Sequence, residues 1–132
     1  MSDPGLALQK ALLHRLRGPG VLSCKVFDFV SETTPLPYVV MDTEISSNAT
    51  PIFGKRRENR LFYFSVWSNY KGQYEVKRIN AEIAAALDRV VLTLPENQGR
   101  VVSVSVLRTE TNREPDGVTF MGSVTLRIIT QH

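Results

Sequence analysis

A cysteine and a histidine within reach of each other can make a nucleophile, because the imidazole takes the thiol proton. This sequence holds a single cysteine, Cys24, and two histidines, His14 and His132. His14 falls at the expected end of a helix and His132 at the end of the sequence, so the reading for Cys24 is a buried, inert thiol. One cysteine also leaves no intrachain disulfide and no thiolate-rich zinc site, and two distant histidines make no metal cage. Asp42 and Glu44 stand two apart in a stretch that reads as a strand, which would place both on one face. Such a pair could do acid–base work or bind a divalent cation, but no third or fourth ligand accompanies it. Gly18-Pro19-Gly20 is no phosphate loop, since no strand precedes it and no lysine–serine pair follows. The expectation is no catalytic residue, no cofactor and no metal.

The charged chemistry is concentrated elsewhere. Lys55, Arg56, Arg57 and Arg60, less Glu58, give a local charge of +3, equal to the balance of the whole chain. Phe53, Phe62 and Tyr63 flank this cluster, a combination that would allow bases of a single strand to stack. Three readings stand: a solvated or subunit-contacting loop, a surface facing DNA, or a site for an anionic partner protein. A second basic group, His14, Arg15 and Arg17, reads as a phosphate contact or a solvated helix end. With 16 Lys and Arg against 13 Asp and Glu and a pI near 9.2, the chain tolerates nucleic acid without demanding it.

The elements that position these residues follow from hydrophobic spacing. Asp3 can cap a first helix, Pro4 suits its first position, and Gly18-Pro19-Gly20 stops it. Leu6, Leu8, Leu12, Leu13 and Leu16 form its apolar stripe. Strands are expected at Lys25 to Val30, with Phe27 and Phe29 on one side, and at Tyr38 to Ile45, with Val39, Met41 and Ile45 on one face. The clearest strand is Arg60 to Ser68, where Phe62, Phe64 and Val66 alternate with Leu61, Tyr63 and Trp67. A long polar loop at 46–59 joins the last two. A second helix spans about Gly72 to Arg89 and buries Val76, Ile79, Ile83 and Leu87. A final hairpin pairs Arg100 to Thr111 with Val118 to Thr130 around Pro115-Asp116-Gly117. Its first strand turns Val102, Val104 and Val106 inward, and Ser103, Ser105, Thr119, Ser123 and Thr125 make its wet side. The candidate core anchors are Phe62, Phe64, Trp67, Ile79 and Ile83.

Runs of neighbouring strands imply an α+β fold, a mostly antiparallel sheet with two helices packed on one face. At 132 residues the expectation is one domain, 1–132, that buries roughly two thirds of its unfolded surface. No apolar stretch is long enough for a membrane span, and no secretory signal is apparent, which points to synthesis in a reducing cytoplasm.

The order of motifs resembles the tail completion, or tail terminator, proteins of long-tailed bacteriophages, prophages and gene transfer agents. The resemblance rests on Leu6-Ala7-Leu8-Gln9-Lys10-Ala11-Leu12, then Leu36-Pro37-Tyr38-Val39-Val40. It continues through Phe62-Tyr63-Phe64-Ser65-Val66-Trp67-Ser68, Lys71-Gly72 and Ile83-Ala84-Ala85-Ala86-Leu87. It closes on Arg113-Glu114-Pro115-Asp116-Gly117 and Val124-Thr125-Leu126-Arg127-Ile128. It implies a structural virion protein, made in the bacterial cytoplasm, whose copies (usually six) form a ring on the last ring of the tail tube. That ring would stop tube growth, meet the head-side connector or stopper protein, and let DNA pass without sequence-specific binding. The 46–59 loop would be mobile in the free subunit and order on assembly. The alternative from the residues alone is a small basic nucleic-acid-binding module.

Overall fold

The leucine spacing of the first segment builds α1, Gly5–Leu16, which buries Leu8, Leu12, Leu13 and Leu16. Leu6, expected in the same stripe, is 64% exposed. It lies in the first turn, before the helix settles over the sheet. Pro4 occupies the N-cap, one position earlier than expected, and its carbonyl accepts the Leu8 N–H at 2.9 Å. The computed structural model describes residues 4–31, 33–96 and 98–131, so the Asp3 cap and the placement of His132 lie outside the described residues.

The remaining elements are β1 (Lys25–Phe27), β2 (Tyr38–Asn48), β3 (Arg57–Ser68), α2 (Tyr74–Leu87), β4 (Arg100–Arg113) and β5 (Phe120–Gln131). The strands form one sheet in the order β1-β2-β3-β5-β4. Every neighbouring pair is antiparallel except β1 with β2, which run parallel with Val26 opposite Val39. The fold is α+β. One continuous core joins α1 and α2 to the sheet, with Phe62, Phe64, Val124, Leu126 and Ile128 from the sheet and Ile79, Ile83 and Leu87 from α2.

Side chains alternate faces along a strand, so one extra residue reverses everything beyond it. That happens in β2 between Met41 and Thr43. Val39 and Met41 face the core as expected, but the bulge turns Ile45 to the opposite face and brings Glu44 to the core side. Asp42 and Glu44 therefore do not share a face. Asp42 accepts a hydrogen bond from the Ser65 hydroxyl, whereas Glu44 pairs with Arg60. In β4 a second irregularity, between Val101 and Ser103, packs Val101 rather than Val102 against the core.

Three other expectations need correction. The first strand stops at Phe27, and Phe29 is exposed. Val118 lies in the final turn, not in β5, and is exposed. Trp67 is half-buried and outside the core cluster, because its register opposite Tyr38 and Met121 puts it on the face away from the helices.

The arginines of the first helix end are internal ties. Arg15 donates to the Ala86 carbonyl at 2.6 Å, which joins α1 to α2. Arg17 donates through two nitrogens to the Val26 carbonyl at 3.1 and 2.9 Å, which fixes β1. Glycine enables the closest helix–sheet approach: a Cβ on Gly122 would lie 2.6 Å from both Val76 Cγ1 and Asn80 Oδ1. Gly122→Ala should therefore push α2 off β5 and cost about 1–3 kcal/mol, read as a lower urea midpoint with an unchanged slope.

Candidate assembly surface

The three groups singled out for chemistry are dispersed. Cys24 is half-buried; burial, with Glu82 and Glu75 nearby and opposed by Arg78, pushes its thiol from 9.0 up to about 11. A shift of that size lowers the thiolate fraction near pH 8 about 100-fold. Labelling by a thiol reagent should be slower than that of a free thiol by a similar factor and recover on unfolding. Among the described residues, no three His, Cys, Asp or Glu side chains come together as a metal site would require.

The basic cluster is split by the strand that carries it. Segment 46–59 is not a loop throughout, because Ser46, Ser47 and Asn48 pair with Arg60, Asn59 and Glu58. Its polar residues mislead, since this end of β2 is a paired strand whose side chains are nonetheless exposed. Only 49–56 forms the hairpin tip, closed by the Ala49 N–H donating to the Arg57 carbonyl at 2.9 Å. Arg60 is 3% exposed on the helix side of β3 and pairs with Glu44 at 2.7 Å and Glu58 at 2.6 Å. Arg57 donates to Gln131 Oε1 at 2.8 Å. Lys55 and Arg56 remain on the exposed tip, Arg56 lying 3.9 Å from Glu58.

The flanking aromatics diverge too. Phe62 is in the core and Tyr63 is half-buried on the opposite face, while Phe53 projects from the tip, 93% exposed beside Ile52 at 94%. They make no stacking platform. Ile52 is the residue that the reading of charge passed over; its signal is an apolar pair inside a polar segment.

The sheet face away from the helices is a second structured surface. Its register aligns cross-strand rows: Ile45, Leu61, Arg127 and Ser105; then Thr43, Tyr63, Thr125 and Arg108; then Val40, Ser65, Ser123 and Glu110; then Tyr38, Trp67, Met121 and Asn112. Apolar and small polar residues dominate, which suits packing better than solvation. Thr125 on this face is buried among its neighbours, not wet. Asn59 Oδ1, Thr125 Oγ1 and Arg127 Nε are buried here and make no hydrogen bond with the described residues. The backbone edge of β2 is open beyond the three residues that β1 covers, whereas the outer side of β4 is partly taken up, with the Val104 carbonyl accepting the Arg89 N–H and the Val106 N–H donating to Asp88. The final turn is well fixed, because the Asp116 carboxylate accepts the Val118 and Thr119 N–H groups at 2.9 and 2.8 Å. Those backbone bonds hold its carboxyl below the ordinary range.

The described surface offers packable strands, an open β2 edge and a projecting tip, features suited to contact with other chains. The comparisons agree. A family profile described as "Tail completion protein gp17" matches residues 7–131. The chain belongs to that tail completion family of structural virion proteins. A solved chain from "Virion of native gene transfer agent (GTA) particle" is similar at TM-score 0.81 and 25% identity, over 95% of this chain and 95% of that one. A second solved structure, 14% identical over 97% of this chain and 93% of that one, has a TM-score of 0.56 and shows the fold alone. No curated protein matches the sequence.

Proposed function

We propose that this chain is a tail terminator. Copies of it, six by the expectation for the family, close into a ring on the end of the tail tube, halt tube growth and present a surface to the head-side connector. The observation that carries this reading is the whole-length likeness to a chain of a gene transfer agent virion, at TM-score 0.81. The open β2 edge and the packable sheet face support it, because a closed ring needs each subunit to offer two different patches. Synthesis in the bacterial cytoplasm precedes assembly; no described helix is long and apolar enough to cross a membrane.

DNA crosses the lumen without being gripped. Tight binding needs many phosphate contacts, each steepening the salt dependence. The pairing of Arg60 and Arg57 leaves only Lys55 and Arg56 of the basic cluster on the exposed tip. That disfavours the alternative of a nucleic-acid-binding module. The tip, rather than all of 46–59, is the part that orders against a neighbour.

Purified protein incubated with purified tail tubes should form a cap at one end only under electron microscopy; bare or doubly capped ends contradict the reading. Trp67→Ala should remove about 2 kcal/mol from the free subunit, as expected for a half-buried indole, yet abolish capping because its row is an assembly contact. A core-sized loss of stability with normal capping would place the indole elsewhere.

A further inference from the structure

We propose that the hairpin tip of one copy seats in the cleft between α1 and β2 of the next copy, with its basic residues against the carboxylates there. This rests on the ring reading and assigns one of its contacts. The donor is anchored at its base: Asn48 Oδ1 accepts the Thr50 N–H and hydroxyl at 2.9 and 2.6 Å, and Thr50 Oγ1 accepts the Arg57 N–H at 3.1 Å. Beyond that anchor the tip presents Ile52 and Phe53, almost wholly exposed, followed by Lys55 and Arg56. An apolar pair held out in water beside two cations fits a receptor that is partly apolar and acidic.

The same chain carries such a receptor. Two adjoining clefts of about 500 and 240 Å³ share Gln9 and Glu44. The first is lined by the exposed Leu6 and by the Glu44–Arg60 pair, and the second by Glu44 and the exposed Asp28, the Asp42 carboxylate being turned to Ser65. The neighbour of Asp28, Phe29, is exposed as well. Gln9 donates through its side-chain amide to the Asp28 carboxylate at 3.3 Å, at the surface. A tip cannot enter its own cleft: Asn48 is already about 13 Å along β2 from Glu44, and the tip continues outward. The contact is therefore between copies, one patch donating and a different patch receiving, as a ring requires. Charge selects this cleft over the groove of about 680 Å³ between α1 and α2, where His14 and Arg15 accompany Glu82. There Arg15 balances the one carboxylate, whereas the chosen cleft adds Asp28 to the balanced Glu44–Arg60 pair.

Charge reversal tests the pairing on tail tubes imaged for end caps. Lys55→Glu with Arg56→Glu gives an acidic tip and an acidic cleft; Asp28→Lys with Gln9→Lys gives a basic tip and a basic cleft. Neither variant alone should cap tubes, whereas an equal mixture should, because alternating copies restore every contact. Capping by either variant alone at the wild-type level, or an inactive mixture of two variants with wild-type melting curves, overturns the proposal. If a variant fails to fold, Leu6→Cys with Ile52→Cys in a Cys24→Ser chain replaces it. Oxidised caps must then yield a ladder of linked copies, and monomers alone refute the contact. Wild-type protein that never caps tubes removes the ring reading itself, whereas wild-type capping with unaffected variants removes only this contact.

Discussion

Replacing Arg60 with methionine is expected to destabilise the free subunit by about 3–5 kcal/mol, the range for removing one partner of a buried ion pair. Arg60 lies on the core side of β3, 3% exposed, between Glu44 and Glu58. Methionine keeps much of the apolar stem but leaves two carboxylates without their shared cation, one of them only 14% exposed. That loss is a large share of the 5–15 kcal/mol typical of a domain. Urea denaturation measures it directly. Adding Glu44→Gln and Glu58→Gln should restore part of the loss, because the penalty comes from stranded charge rather than from a missing contact. Equal stability of Arg60→Met and wild type would mean that the cluster is solvated.

Phe64→Ala is expected to cost a similar 3–5 kcal/mol for a different reason. Phe64 is fully buried, opposite Met41 on one side and Val124 on the other, beneath the helices. Its removal opens a cavity that packed neighbours only partly fill. Thermal melting and urea unfolding should agree, with no change in the folded spectrum if the rest of β3 holds. A loss below about 1 kcal/mol, or one smaller than that of Trp67→Ala, would mean that β3 faces the other way.

That contrast marks where the sequence was legible. Helical spacing identified α2 and its stripe of Val76, Ile79, Ile83 and Leu87, all fully buried, because a 3.6-residue period has no competing reading there. Alternation identified β3, yet both of its faces are apolar, and alternation alone cannot say which lies beneath helices. Trp67 was misjudged for that reason. Bulges were invisible as well: one extra residue in β2 exchanges Ile45 for Glu44 on the core side, where Glu44 meets Arg60. The basic cluster looked continuous in one dimension, but the strand period and two carboxylates divide it. The resemblance to tail completion proteins was legible as an order of motifs along nearly the whole chain, and the family match over 7–131 agrees. The contact residues were less legible, since Ile52 and Phe53 gain meaning only once the tip is seen to project.

Under the proposed function, this protein acts by closing the end of a tail tube. The most direct measurement is the distribution of tail lengths, and of joining to filled heads, in particles assembled without it. The account predicts tubes of irregular, extended length left unattached to heads, restored by adding the purified protein. Tails of uniform normal length joined to filled heads in its absence would contradict it.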